Sequence, residues 1–185
     1  MANEDDDDTS WKVRRAAIKL IDALVSSRPD KLRAVYQQYA GLLIKRFKER
    51  DDNVKCNVLE TYRTFLKCAI HTENLEEDSL SSPGVLSLSR VKSAGDELAQ
   101  LVDTTIDELV KQLKKSKNAK VKTSVMHTFA QLAHVLPRYT AEGIEKFLPE
   151  LEKLVNEAAS YELILDSLFI LKRLFKTDEE KHAKF

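Results

Sequence analysis

The apolar residues of this sequence recur in a helix-pair pattern with a period of about 40 residues. A shift of 41 positions places Val13-Arg14 on Val54-Lys55 and keeps the apolar positions aligned. A shift of 67 then reaches Val121-Lys122, and its excess over one period is about the length of an irregular stretch at 71–95. A further 42 positions lead to Leu163. This period is typical of HEAT or armadillo arrays, whereas ankyrin and tetratricopeptide units repeat every 33 or 34 residues or so.

Seven stretches carry apolar residues at helical spacing. The sequence has only four Gly and four Pro, which leaves too few turn residues for a many-stranded sandwich or barrel. Apolar spacing and capping residues place the helices at about 10–26, 30–49, 51–70, 96–113, 121–132, 140–157 and 162–176. Asp30 is the predicted cap of the second helix, and Asp51-Asp52-Asn53 start the third. The sequence therefore predicts an all-α fold, an α-solenoid of HEAT repeats with about seven helices in three to four repeats.

The chain divides into five parts on this interpretation. Residues 1–9 are acidic and are expected to be a disordered loop remnant, and 10–70 hold one unpaired helix and one HEAT pair. The stretch 71–95 is rich in Ser and acidic residues and is expected to be an irregular surface loop. Two further HEAT pairs occupy 96–176, and 177–185 form a polar tail.

The predicted last helix, 162–176, is apolar nearly all round. A terminal repeat needs a polar outer face for solubility. The array also opens on a second-type helix that lacks the partner normally preceding it. We therefore expect the chain to be a segment of a longer protein whose further repeats cover this helix.

The charge balance bears on the class of partner. The chain has 30 basic and 30 acidic residues, but Glu4–Asp8 hold five of the acids, which leaves 30 basic against 25 acidic residues elsewhere. Proteins that bind the phosphate backbone of nucleic acids carry a pronounced stripe of basic residues, and this surplus is too small to form one. Nucleic acid is therefore disfavoured as a partner. No stretch approaches the roughly 20 apolar residues of a membrane span, and the N-terminus does not resemble a secretory signal. We expect no membrane partner and an intracellular location.

No group of residues has the spacing of a catalytic or metal site. The sequence contains no Gly-rich phosphate loop, no GxSxG and no HExxH. His127 and His134 would lie about 10.5 Å apart along one helix, too far for one metal ion. Cys56 and Cys68 fall on one predicted helix at a spacing that cannot form a disulfide between them. We predict no enzyme, no catalytic residue, no cofactor and no metal site.

A basic residue recurs at the repeat period, at Arg14, Lys55 and Lys122. We predict that these side chains face Asp or Asn in neighbouring inter-helix turns and form a ladder between stacked repeats. The lysines between 111 and 122 are the densest cationic cluster. Helix-dipole compensation and a solvated turn explain most of them, and contact with an acidic partner is the alternative. Trp11 is expected to pack between helices, although its ring would also suit an interface.

Three groups of residues resemble the cullin-associated and neddylation-dissociated proteins. They are Ser10-Trp11-Lys12-Val13-Arg14-Arg15-Ala16-Ala17, Arg46-Phe47-Lys48-Glu49-Arg50 with Asn53-Val54-Lys55, and Val135-Leu136-Pro137. The resemblance implies a large all-HEAT protein of the cytoplasm and nucleus, of which this chain would be an internal stretch. Such proteins wrap cullin scaffolds that lack the ubiquitin-like modifier, compete with substrate-receptor adaptors, and act as exchange factors for cullin–RING ubiquitin ligases. The implied mechanism is competitive binding, and no catalytic residue is carried over.

Second helices line the concave face of HEAT arrays, so their polar stripe supplies the candidate contacts with a cullin–RING complex. The candidates are Lys12, Arg15, Lys19, Arg63 and Lys120. Two other functions share part of the pattern. A transport receptor or general protein scaffold would use the same repeats, whereas a helical enzyme would need a cleft with several perturbed ionisable groups.

Overall fold

Six α-helices make up the described part of the chain. The computed structural model describes residues 9–79 and 98–156, and the single positions 161, 165, 167, 168 and 172. The helices are α1 (Ser10–Ser27), α2 (Leu32–Arg46), α3 (Asp52–Ser79), α4 (Val102–Lys115), α5 (Ala119–Val135) and α6 (Pro137–Asn156). The 3-10 turn Pro29–Lys31 joins α1 to α2, and these ranges contain no β-strand.

The helices stack in two layers. One layer holds α1, α3 and α5, which pack side by side in that order, and the other holds α2, α4 and α6. Contacts of α2 with α3, of α4 with α5 and of α5 with α6 join the two layers. The antiparallel pairs α2–α3 and α4–α5 are therefore each one repeat, and each repeat packs on the next. This arrangement confirms the predicted all-α solenoid of HEAT repeats, and it places α1 in the same layer as α3 and α5.

The core lies between the layers and continues across the repeat boundary. Within the first repeat, the rings of Phe47 and Tyr62 meet edge-on with their centroids 5.4 Å apart. Across the boundary that follows the next repeat, the ring of Phe129 of α5 stacks on that of Phe147 of α6, with centroids 3.9 Å apart. The hydroxyl of Tyr62 is hydrogen-bonded to Thr105 Oγ1 of α4 at 3.0 Å. The polar atom of this buried ring is thus satisfied by the neighbouring repeat.

Helix α3 is longer than the sequence pattern predicts. It was expected to end near Ile70 and to give way to a loop at 71–95, but it continues to Ser79. The residues from 71 to 79 include no Gly or Pro, and Pro83 is the first strong helix breaker after them. Extending an existing helix by one residue is much easier than nucleating a new one. Acidic composition alone therefore does not end this helix, and residues 80–95 of the predicted loop lie outside the described residues.

Asp30 does not cap α2. It lies in the 3-10 turn before that helix, and its carboxylate accepts two hydrogen bonds from the Arg28 guanidinium at 2.8 and 2.7 Å. Lys31 stands at the N-cap without a side-chain hydrogen bond. The expected start of α3 is correct, because Asp51 Oδ1 accepts from the Val54 N–H at 2.9 Å. Arg28 offers Asp30 a charged donor two residues away, and this pair replaces the cap.

Several predicted regions lie wholly or mostly outside the described residues. These are the acidic stretch 1–8, the helix start expected at Asp96, the tail 177–185 and most of the seventh helix. Within that helix the four described positions, 165, 167, 168 and 172, are helical, and Leu165 and Leu168 are about half exposed. No helix among the residues that can be placed is long and apolar enough to cross a membrane.

A glycine permits a close approach between α4 and α6. A Cβ added at Gly143 would overlap Cδ1 of Ile106 and lie 3.2 Å from its Cγ1 and Cγ2. Ile106 is fully buried, so its side chain has little room to move. Gly41, in the middle of α2, is different, because a Cβ there would meet no atom within 4 Å.

We expect Gly143→Ala to lower the free energy of unfolding by about 1 kcal/mol or more, because overpacking costs more than the gain in helix propensity. The matched control, Gly41→Ala, should raise it by about 0.5–1 kcal/mol, since only propensity changes. Urea unfolding followed by circular dichroism measures both. A Gly143→Ala protein as stable as Gly41→Ala would contradict the close packing of α4 on α6.

Candidate functional site

The layer of α1, α3 and α5 presents a polar stripe to solvent. We call this stripe the outer face of the layer, meaning its solvent side and not the end of the array. It consists of exposed or partly buried side chains at helical spacing: Lys12, Arg15, Lys19, Glu60, Arg63, Lys67, Lys120, His127 and Gln131. Six of these nine residues are lysine or arginine, and one is acidic. The outer face is therefore a cationic surface that runs across three adjacent helices.

The five predicted contact residues all belong to the outer face, but their surroundings differ. Lys12, Lys19 and Lys120 are exposed, and Lys120 stands at the start of α5. The Nζ atom of Lys12 lies 5.7 Å from the centroid of the Trp11 ring. Arg15 is partly buried, and its Nε donates to Asn57 Oδ1 of α3 at 3.2 Å. Three of the five are thus free to meet a partner, whereas Arg15 also joins α1 to α3.

Arg63 lies in a groove between α3 and α5. The groove has a volume of about 300 Å³ and is lined by Glu60, Arg63, Thr64, Lys67, His127, Ala130 and Gln131. Burial lowers the pKa of Arg63, and the nearby Glu60 carboxylate only partly opposes this effect. The guanidinium remains charged at neutral pH, because arginine starts from a very high pKa. Among the described cations of the outer face, Arg63 is thus one that burial partly desolvates.

A second set of polar contacts lies at the inter-helix turns. Arg14 Nε of α1 pairs with Glu49 Oε2 at 3.0 Å, across the repeat boundary. Asp52 accepts from Asn118 Nδ2 at 2.9 Å, which joins the turn before α3 to the turn before α5. Lys55 pairs with Asp52 at 3.7 Å within its own helix. Successive turns are therefore connected side by side along one edge of the stack.

These contacts differ in detail from the predicted ladder. Arg14 meets a glutamate instead of Asp or Asn, and Lys55 reaches Asp52 of its own repeat. Lys122 is partly buried beside Glu150 in a cavity of about 310 Å³, and it has no ion pair with a residue of the described part. A ladder that runs through all three positions stays a prediction.

The lysine cluster around the turn before α5 is partly neutralised within the chain. Lys111 lies 3.9 Å from Glu108, and Lys114 lies 3.4 Å from Glu150 of α6. Lys115 and Lys117 are exposed. Lys114 thus joins α4 to α6 and Lys111 is paired within α4, whereas Lys115 and Lys117 are open to a partner.

Glu49 is the most buried member of the turn contacts. Its side chain is only 5% exposed, and its second oxygen accepts from the Arg50 backbone N–H at 2.8 Å. Burial alone would raise its pKa, but the hydrogen bonds from Arg50 and Arg14 and the Arg14 charge outweigh burial, so the pKa is lowered. The folded chain therefore stabilises the charged form of Glu49.

Sequence reasoning did not single out Glu49, Lys67 or Gln131. Lys67 follows Arg63 by one helical turn, so spacing on α3 was a usable signal for it. Glu49 and Gln131 meet their neighbours across a repeat boundary, and no local pattern indicates that contact. Within the described residues, no cluster of three or more His, Cys, Asp or Glu side chains could hold a metal ion.

Two stacked layers of helix pairs, with buried apolar residues between them and a polar outer face, define the class of HEAT-repeat α-solenoids. No protein-family model matches the chain. Individual relatives do match. The chain is 35% identical to cullin-associated NEDD8-dissociated protein 2 of Mus musculus over 182 residues, and 36% identical to protein 1 of Arabidopsis thaliana over 154 residues. The Drosophila melanogaster protein 1 is 31% identical over 156 residues.

These alignments cover 83 to 94% of this chain but only 12 to 14% of the relatives. The chain belongs to the cullin-associated NEDD8-dissociated family, and it corresponds to a short segment of the family's long proteins. The resemblance seen in the sequence is thereby confirmed. The relatives are named for association with cullins and not for an enzymatic reaction.

We expect Glu49→Gln to lower the free energy of unfolding by about 1 kcal/mol at neutral pH, because it weakens a buried, charge-assisted hydrogen bond. Because folding lowers the pKa of Glu49, its carboxylate stabilises the fold fully when the pH is above 4.5, the ordinary pKa of this group. This contribution is lost as the pH falls through the lowered pKa of the folded chain. The difference between wild type and variant should therefore shrink below that pH. Urea unfolding at a series of pH values measures it.

Asp30→Asn provides the control. The pKa of Asp30 is also lowered, first by its hydrogen bonds from Arg28, but that pair is exposed to solvent. Its loss should change stability much less than Glu49→Gln does. Equal effects of the two substitutions would show that burial of Glu49 adds nothing.

Proposed function

We propose that this chain is a non-catalytic interaction segment that contributes to the binding of a cullin. The observation that carries the proposal is the match of nearly the whole chain to relatives named as cullin-associated. The cationic outer face supports it, because exposed lysines on rigid helices can meet an acidic protein surface without rearrangement. Its contact residues are Lys12, Arg15, Lys19, Arg63 and Lys120.

The finer mechanism belongs to the complete protein that contains this chain. A solenoid offers an extended surface that can follow a long partner, and small changes at each repeat add up to a change in shape. We propose that the protein wraps cullin–RING complexes that lack the modifier, in the cytoplasm and nucleus, and competes with substrate-receptor adaptors. Exchange requires a different affinity for cullin with and without its adaptor or modifier.

Co-purification tests this function directly. The complete protein is expected to recover a cullin–RING complex without the modifier, and to lose it when the modifier or the adaptor is present. Recovery of transport cargo instead of cullin would favour a transport receptor. Recovery of neither cullin nor transport cargo would contradict the cullin proposal.

Charge reversal tests the outer face. We expect Lys12→Glu, Lys19→Glu and Lys120→Glu together to weaken cullin binding by about tenfold at low salt, mainly through slower association. The effect should diminish as ionic strength rises, because exposed charges are screened. Surface plasmon resonance at two or three salt concentrations measures both rates.

The matched control reverses three cations outside the outer face: Lys45, Arg46 and Arg50. All three are exposed, and their reversal changes the net charge by the same amount. We expect the control to retain most of the wild-type affinity. Equal losses in the two triple variants would mean that net charge alone matters, and unchanged affinity in the first would place the contact elsewhere.

A further inference from the structure

Arg63 differs from the other partly buried arginines of the described residues. The guanidinium of Arg14 donates a hydrogen bond to Glu49, and that of Arg15 donates one to Asn57. Each of these two groups is therefore hydrogen-bonded within the chain. Arg63 is also partly buried, yet it has no hydrogen bond or ion pair with a residue in the described ranges. A guanidinium has five N–H donors, and leaving them unmet in a partly desolvated place costs free energy.

The groove around Arg63 is arranged like a small anion site. Lys67 follows one turn later on α3, and the side-chain amide of Gln131 lies on the opposite wall, on α5. Both walls are helices held by the core, since Phe65 and Phe129 beside the groove residues in sequence are fully buried. Rigid walls keep the donors in place before a ligand arrives, which lowers the entropy cost of binding.

Glu60 at the same groove limits the charge of the ligand. Its carboxylate interacts favourably with Arg63 but would repel a second anion. A singly charged carboxylate meets less repulsion than a doubly charged phosphate, and its two oxygens match the two parallel N–H groups of a guanidinium. The groove volume of about 300 Å³ accommodates one side chain, not a folded element.

We propose that this groove receives the carboxylate of an Asp or Glu side chain from the partner protein, with Arg63 as the anchor. Lys67 adds a second positive charge, and Gln131 offers an amide donor. The inference rests on the proposed function in one respect only, namely that a protein docks on the outer face. It adds the chemistry that the partner must present at this point: an acidic side chain that projects into the space between α3 and α5.

The test uses the whole chain with nitrogen-15 labelling. The probe is a capped peptide that contains four glutamates separated by glycines, and its counterpart has glutamine at the same four positions. We expect the side-chain amide signal of Gln131 to shift in a saturable manner with the glutamate peptide and not with the glutamine peptide. Absence of a shift with the glutamate peptide overturns the proposal, as does an equal shift with both peptides.

Arg63→Lys separates a bidentate anchor from a simple charge. It keeps the positive charge but loses the paired N–H groups, so we expect the glutamate peptide to bind about tenfold more weakly. Arg46→Lys, on an exposed site of α2, should leave the titration unchanged. Thermal unfolding of the variants checks that the fold is retained. Wild-type affinity in Arg63→Lys overturns the role of Arg63.

Two further outcomes separate this inference from the proposed function. Inorganic phosphate, added at matched ionic strength, should shift Gln131 less than the glutamate peptide does, and a stronger response to phosphate overturns the preference for carboxylates. Cullin binding is measured separately. If the peptide titration succeeds and cullin does not bind, the carboxylate site stands and the cullin proposal fails; the reverse result removes only the site.

Discussion

The packing of α3 between α1 and α5 is the contact on which the rest of the structure depends. Helix α3 buries Val54, Val58, Leu59, Phe65 and Leu66 almost completely. It reaches this burial only because α1 lies on one side, α5 on the other, and α2 behind it. Burying an apolar side chain stabilises a fold by about 1.5–3 kcal/mol, so this one helix contributes more than all the exposed ion pairs. A HEAT pair cannot supply such burial alone, and stacking is therefore obligatory.

The polar contacts at the turns have a different role. Each of them contributes far less free energy than the core, and several are open to solvent. They are directional, however, and they join groups that are specific to one register. Arg14 with Glu49, and Asn118 with Asp52, bring successive turns together along one edge. Apolar burial thus drives the stacking, while these contacts favour one way of stacking over its neighbours.

Stacking also explains why a polar stripe remains exposed. Because the buried residues of α1, α3 and α5 face the other layer and each other, a narrow stripe of each helix is left for solvent. Arg15 and Arg63 both occupy this stripe and are partly buried, but among the described residues only Arg15 of the two has a hydrogen-bonded side-chain partner. Arg15 therefore joins two helices, whereas Arg63 does not. Exposure or charge alone would not distinguish the two.

The sequence by itself determined the helices, their pairing and the solenoid class. Those properties depend on the spacing of apolar residues and on local caps such as Asp51, which act over a few positions. It also identified five of the six cations of the outer face, all except Lys67, because helical spacing places them on one stripe. Local patterns were less reliable at boundaries: the acidic residues after Ile70 suggested a loop, although nothing there stops a helix, and Asp30 had a nearer partner than the helix it was expected to cap.

Only the tertiary structure decided which of these residues have partners inside the chain. Arg14 meets Glu49 across 35 positions, Arg15 meets Asn57 across 42, and Asn118 meets Asp52 across 66. Such pairs depend on how one repeat sits on the next, and that is set by the packing of many apolar side chains together. The same packing forms the groove at Arg63, whose guanidinium has no hydrogen bond or ion pair with a residue of the described part. The sequence thus placed the charge on the surface, and the stacking of α3 on α5 set it in a groove.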